Sequence, residues 1–202
     1  MVQRSAIVIG SLYLTLNEIA SYGITIQLIS VIAGLATIYI GTFLPELVHL
    51  RVSQNNQAIK EIYLKGQVIM LLTYLAGGIT LLIFVEPALN LIGSNTRLIS
   101  TGLMFIAIVI SFLENNHSVA GGILLTKNEV PFFKAAIFSG ILTVIILILM
   151  LQFTYTGLLA MVIAPGIAQA FYQNWKWPTV VIKELEITLY DLRQTIAGFV
   201  KF

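Results

Sequence analysis

The sequence predicts an all-α polytopic membrane protein: six transmembrane helices forming one bundle, with an amphipathic helix at the C-terminal end. Three observations carry this. First, 58% of the 202 residues are apolar and only 10% are charged, with a mean hydropathy of +0.94. Soluble domains hold about 25% charged residues, so this chain has too few ionic groups to clothe a water-facing surface, and an ordinary soluble domain is excluded. Second, the apolar runs are long and do not alternate with the two-residue period of barrel strands. Helices, which satisfy their own backbone in lipid, therefore remain. Third, the basic residues collect in alternate links between those runs.

The apolar runs are read in order as residues 3–15, 18–43, 67–88, 99–125, 132–153 and 157–174. The first is short, with about 12 residues between Arg4 and Asn17 against the ~20 of a crossing. Arg4 ahead of a short apolar core also fits a secretory signal peptide, but the small-x-small cleavage site is poor and Glu18–Gly23 runs straight into the next span. A helix whose first half is missing is the preferred expectation. The second run ends at Pro45 and the third near Pro87. The link 46–65 carries Ile59, Ile62, Tyr63 and Leu64 at helical spacing, which predicts a short interfacial helix. Gly93 and Asn95 mark a turn. After the sixth run, Trp175 and Trp177 suit the headgroup level, and Pro178 suits a helix start. Ile182, Leu185, Leu189, Leu192, Ile196 and Phe199 then form an amphipathic stripe. The chain thus divides into a transmembrane unit, 1–178, and a tail helix, 179–202, lying along the membrane face or binding a partner.

Six spans place ten of the 11 basic residues on one side: Arg4, Arg51, Lys60, Lys65, Lys127, Lys134, Lys176, Lys183, Arg193 and Lys201. Only Arg97 falls on the other side. Cytoplasmic links accumulate Lys and Arg, so both ends are expected in the cytoplasm. The tail's own charges cancel, and a net charge of +2 gives no reason to expect nucleic acid as a partner.

Chemistry is sought among polar groups at membrane depth. Ala20, Gly23, Gln27, Ser30, Gly34, Thr37 and Gly41 share one face of the second span. Such a face suits close helix packing or a polar cavity, and the Gln27 amide points to the cavity. The fourth span carries Glu114, Asn115, Asn116 and His117 near its middle. A carboxylate at mid-bilayer costs about 2.5–3.5 kcal/mol on insertion scales, so it must face protein or water and is a functional candidate. Glu114 and His117 stand three apart and can touch. The pair suits a carried proton, or sugar hydroxyls bound together with the two amides. A satisfied interhelical hydrogen-bond cluster is the alternative. Gln169 on the sixth span is a further lining candidate, beside a helix that Pro165 can kink. Gln173 and Asn174 read as a polar fringe at that helix's end.

No metal or cofactor is expected. The chain has no Cys, and its two His, His49 and His117, lie too far apart to share an ion. No Walker A, GxSxG or HExxH pattern occurs, Asp191 is the only Asp, and Glu184 and Glu186 lie on a solvated tail. An enzyme is therefore disfavoured.

Several segments resemble a known family. Asn17-Glu-Ile-Ala-Ser-Tyr-Gly-Ile-Thr, with Tyr22 and the later Pro45, is similar to the link between the first two helices of a six-helix half in polysaccharide flippases. The polar stretch with Arg51 and Gln57–Lys65 resembles that family's cytoplasmic loop, and Asn174–Pro178 its post-helix segment. Over about residues 3–180 the chain resembles the C-terminal half of O-antigen (lipid-linked oligosaccharide) flippases of the multidrug/oligosaccharidyl-lipid/polysaccharide exporter superfamily. The resemblance implies two six-helix bundles flanking a central cavity, with this chain as the second and an N-terminal half as its missing partner. It implies an undecaprenyl-pyrophosphate-linked oligosaccharide as substrate, in a bacterial cytoplasmic membrane. It also implies that Arg4 lines the cavity and attracts the pyrophosphate, which changes the charge split to nine against one. A multidrug/cation antiporter of the same superfamily is the first alternative. A membrane-embedded glycan polymerase or ligase is the second, and the short outer loops argue against it. A purely structural membrane subunit is the third.

Overall fold

The computed structural model describes residues 2–154 and 156–200, with the backbone alone for residues 2–5 and 200. The helices are α1 (Val2–Gly10), α2 (Leu16–Thr42), α3 (Leu44–Val52), α4 (Asn56–Leu91), α5 (Thr101–Leu125), α6 (Phe133–Phe153), α7 (Leu158–Ala170), α8 (Gln173–Glu184) and α9 (Leu189–Val200). No strand occurs among the described residues. The all-helical class therefore holds.

Helix starts follow from local chemistry. Thr15 and Glu18 form a reciprocal cap at α2: the Glu18 carboxylate accepts the Thr15 N–H at 2.9 Å, and the Thr15 hydroxyl accepts the Glu18 N–H at 3.4 Å. Pro45 lies in the first turn of α3, where its missing N–H costs nothing. The Asn55 side chain accepts the Ala58 N–H at 3.1 Å and starts α4. The separate interfacial helix expected in 46–65 does not form: α3 takes its first part, and residues from Asn56 are the opening turns of α4. Nothing breaks α4 before Pro87, and Ile59, Ile62, Tyr63 and Leu64 are buried as its inner stripe. At 36 residues α4 is about 54 Å long, against a hydrocarbon layer of about 30 Å, so one end stands clear of the apolar zone.

Four stretches are long and apolar enough to cross a membrane: Leu16–Val52, Asn56–Leu91, Thr101–Leu125 and Phe133–Phe153. The expected first and sixth spans are shorter as helices. The former ends as a helix at Gly10 and the latter at Ala170. The 13 residues of α7 reach about 20 Å, less than a crossing needs alone. The chain bends at Phe171–Tyr172 because an aromatic knot holds it there. Tyr172 packs edge-on against Trp175 and Trp177, and Phe132 does the same to Trp177 at 5.9 Å.

The tail also departs from expectation. Pro178 lies inside α8 rather than at a helix start, so the 178/179 boundary cuts a helix. The continuous helix over 179–202 breaks after Glu184: Glu186 has φ +50°, and Thr188 with Asp191 caps a new helix. The apolar stripe is divided accordingly, with Leu185 buried and Leu189 77% exposed.

Two glycines mark close approaches between the long helices and their neighbours. A Cβ on Gly66 of α4 would stand 2.3 Å from Ile40 Cδ1 of α2, and one on Gly166 of α7 would stand 2.7 Å from Ile110 Cδ1 of α5. A larger residue at either place would have to displace the facing isoleucine. Opposite Ile110, Pro165 cannot donate to the carbonyl four residues back, and the Tyr22 hydroxyl donates to that Met161 carbonyl at 3.4 Å instead.

Candidate functional site

Successive helical residues turn by about 100°, so four consecutive polar side chains cannot share a face. Residues 114–117 of α5 fan out accordingly. Asn115 points to α4 and donates to the Tyr74 hydroxyl, which also pairs with Ser111 Oγ at 2.8 Å. His117 is buried against α8, its Nδ1 2.9 Å from Asn174 Oδ1. Asn116 is half-buried, makes no side-chain hydrogen bond among the described residues and lines neither cavity beside Glu114. The expected Glu114–His117 contact is not made. The two side chains stand on neighbouring faces: His117 is drawn to α8, whereas Glu114 faces open space between helices. Asn174, expected in a polar fringe, is instead the interhelical partner of His117, and Gln173 is buried.

Glu114 stands near the middle of α5, half-buried, and borders two cavities. The larger is a cleft of about 640 Å³ between α2, α5 and α6. Ser30 and Ala33 line it from α2; Ser111, Asn115 and Ser118 join Glu114 from α5; Phe133, Ala136, Ile137 and Gly140 close the α6 side. The smaller, about 30 Å³, lies toward Tyr22, Val162 and Pro165. The carboxylate takes part in no hydrogen bond or ion pair among the described residues. Three hydroxyls and an amide surround it on otherwise apolar walls. Such a cleft can accept a proton or cation at the carboxylate and hydrogen-bond a hydroxyl-rich or amine-bearing group.

The other candidates lie elsewhere. Gln27 is exposed on α2, outside both cavities, and from the predicted polar stripe only Ser30 reaches the cleft. A Cβ on Gly23, Gly34 or Gly41 would meet nothing within 4 Å, so at those positions the stripe is an open face that packs on no helix among the described residues. Gln169 is buried in α7, lines neither cavity, and leaves its Oε1 unpartnered. The side chain of Arg4 lies outside the described residues. Sequence reasoning missed Tyr74; a tyrosine midway along an apolar span is the signal that could have found it.

A second polar group gathers at one end of the helices. Arg51 Nη1 sits 2.7 Å from Glu184 Oε1, Lys127 Nζ sits 2.5 Å from Glu184 Oε2, and Arg51 Nε donates to Thr126 Oγ1 at 3.2 Å. Glu184 is therefore clamped, not solvated as expected of the tail. Lys60 binds Asp191 at 3.3 Å. The Thr188 amide and hydroxyl, with Lys60 beyond them, hold the Asp191 carboxyl below its ordinary value. No group of three His, Asp or Glu able to hold a metal occurs among the described residues. Compared with protein-family models, with curated proteins and with solved structures, the chain finds no match.

Proposed function

We propose that the chain is one six-helix half of a carrier that flips an undecaprenyl-pyrophosphate-linked oligosaccharide across the bacterial cytoplasmic membrane. One observation carries this: an unpaired carboxylate, Glu114, on a polar cleft midway along membrane-length helices. The glycan passes along the hydroxyl- and amide-lined cleft while the lipid tail stays in the bilayer. Glu114 holds the coupling proton, and transport is gradient-driven, since no nucleotide motif is present. The cleft is open on one side, and a facing half supplies its other wall. In this reading α7 and the start of α8 together make the sixth crossing. The clamped basic end lies in the cytoplasm with both termini, and Arg4 meets the pyrophosphate. The chain is a carrier and not an enzyme.

The test is Glu114→Gln in the full-length protein, scored by surface glycan in cells. Display is expected to fall tenfold or more, equivalent to about 1.4 kcal/mol in the transport barrier, with protein level unchanged and with Asn116→Ala inert. Normal display in Glu114→Gln removes the carboxylate from the mechanism. The unpaired acid beside Phe133 also suits an organic cation, the antiporter reading. Drug resistance lost with Glu114→Gln while glycan display persists would select that reading.

A further inference from the structure

A groove of about 570 Å³ runs between the opening turns of α4, the end of α2 and α9. Its walls change character along its length. Leu64, Ile69 and Phe199 give an apolar floor, whereas the exposed Glu61 and Lys65 stand on the rim, and Tyr39 lines the groove from α2. Lys60 and Asp191 also line it, but they are engaged with each other at 3.3 Å, and Asp191 is further held by Thr188. Two charges are left. Glu61 and Lys65 are both exposed, sit one helical turn apart, and join no ion pair among the described residues, not even with each other. Glu61 receives only the Gln57 amide, at 3.3 Å.

The position matters as much as the charges. From Val68 to Val85 α4 carries no charged residue, so Lys65 marks the edge of its apolar stretch. In a membrane that edge is the headgroup level. A ligand matching the groove carries one negative and one positive group a few ångströms apart, followed by an apolar chain. We infer that this groove binds one phosphatidylethanolamine-type lipid. Its phosphate pairs with Lys65, its primary ammonium with Glu61, and the start of an acyl chain lies on Leu64, Ile69 and Phe199. A purely anionic headgroup meets Glu61 as a like charge. A quaternary ammonium cannot donate the hydrogen bond that the Glu61 carboxylate accepts. The site depends on α4 entering the bilayer here and is independent of what the Glu114 cleft carries.

The experiment is native mass spectrometry of the full chain in detergent, titrated with phosphatidylethanolamine, phosphatidylglycerol and phosphatidylcholine of one chain length. The unaltered protein is expected to retain the ethanolamine lipid over each of the others by roughly threefold, the scale of one exposed charge pair. Glu61→Gln should abolish the preference over phosphatidylglycerol, Lys65→Gln should weaken all three because each presents a phosphate to Lys65, and Phe199→Ala should weaken all three without changing their order. Equal retention of the three lipids, or a Glu61→Gln protein with the unaltered order, would overturn the inference. Both rim residues are exposed, so neither variant threatens the fold.

Discussion

The two carboxylates Glu184 and Glu114 live under opposite rules. Glu184, at the basic end, is held by Arg51 and Lys127 and ties α3, the α5–α6 link and α8 together. Glu114, midway along α5, has no partner among the described residues, although removing a carboxylate from water at mid-membrane costs about 2.5–3.5 kcal/mol on insertion scales. A charge near water has been used as a fastener, whereas a charge far from water has been left open onto a cleft. The contrast teaches that the paired group explains itself by structure, and the unpaired one calls for a ligand, a proton or water. The same division appears in glycine: Gly66 is filled by Ile40, while Gly34 on the cleft-side face meets nothing.

The sharpest way to break this comparison uses the absence of cysteine, which lets a single introduced thiol report alone. Ser118→Cys, in the cleft, should react with a water-soluble maleimide on the order of tenfold faster than Ala120→Cys, which is fully buried, because only a solvated thiol ionises readily. Equal rates would mean that water does not reach Glu114. Next in size is the glycine pair. Gly66→Val should destabilise by about 1–3 kcal/mol, the range of overpacking. Gly34→Ala should be neutral or gain up to about 1 kcal/mol from helix propensity. Thermal unfolding in detergent measures both, and a destabilising Gly34→Ala would place an unseen neighbour on that face.

Glu184→Gln should cost about 1–2 kcal/mol. The side chains of Arg51 and Glu184 are 14% and 18% exposed, which discounts the larger values seen for fully buried pairs. His117→Ala should lose about 1 kcal/mol through the Asn174 contact and leave cleft labelling at Ser118→Cys unchanged. A loss of labelling would return His117 to the site from which its burial removes it.

What the sequence made legible follows from what periodicity encodes. Apolar runs of 20 or more residues report helices, and α2, α5 and α6 were readable to within a few residues, whereas α4 begins eleven residues before the apolar run that announced it, because its opening turns are polar on their outer face. Glu114 was readable as the one acid in the middle of an apolar run. The fan of residues 114–117 was equally present in the helical repeat, yet four adjacent polar letters suggested one cluster. The partners Tyr74 and Asn174 were not legible, because interhelical contact depends on packing, which linear spacing does not encode. The break after Glu184 was announced by Thr188-Leu-Tyr-Asp191, the same reciprocal cap as Thr15 to Glu18. An apolar stripe running across it masked that signal, since amphipathic spacing continues in register through a short link.

The smallest effect concerns α9, whose first turn is held to α4 by Lys60 and Asp191. Asp191 titrates below its ordinary value because the folded chain donates to its ionised form, first from the Thr188 backbone, then from the Thr188 hydroxyl, with Lys60 last. A depressed carboxyl stabilises the fold above its unfolded value of about 4, and that stabilisation fades as pH falls through the lower folded value. Acid should therefore loosen α9 before it unfolds the membrane-length helices. Hydrogen exchange of the α9 amides, stepped from pH 5 to pH 3 and corrected for intrinsic rates, should show protection dropping in α9 and holding in α5. Asp191→Asn should be loosened already at pH 5 and show no further step. A step that persists in Asp191→Asn would assign the acid response to another carboxylate. Glu61 lines the same groove as Asp191, and a Glu61→Gln protein taken through the same pH steps tests it directly, because the response would then vanish with the groove carboxylate and not with the cap.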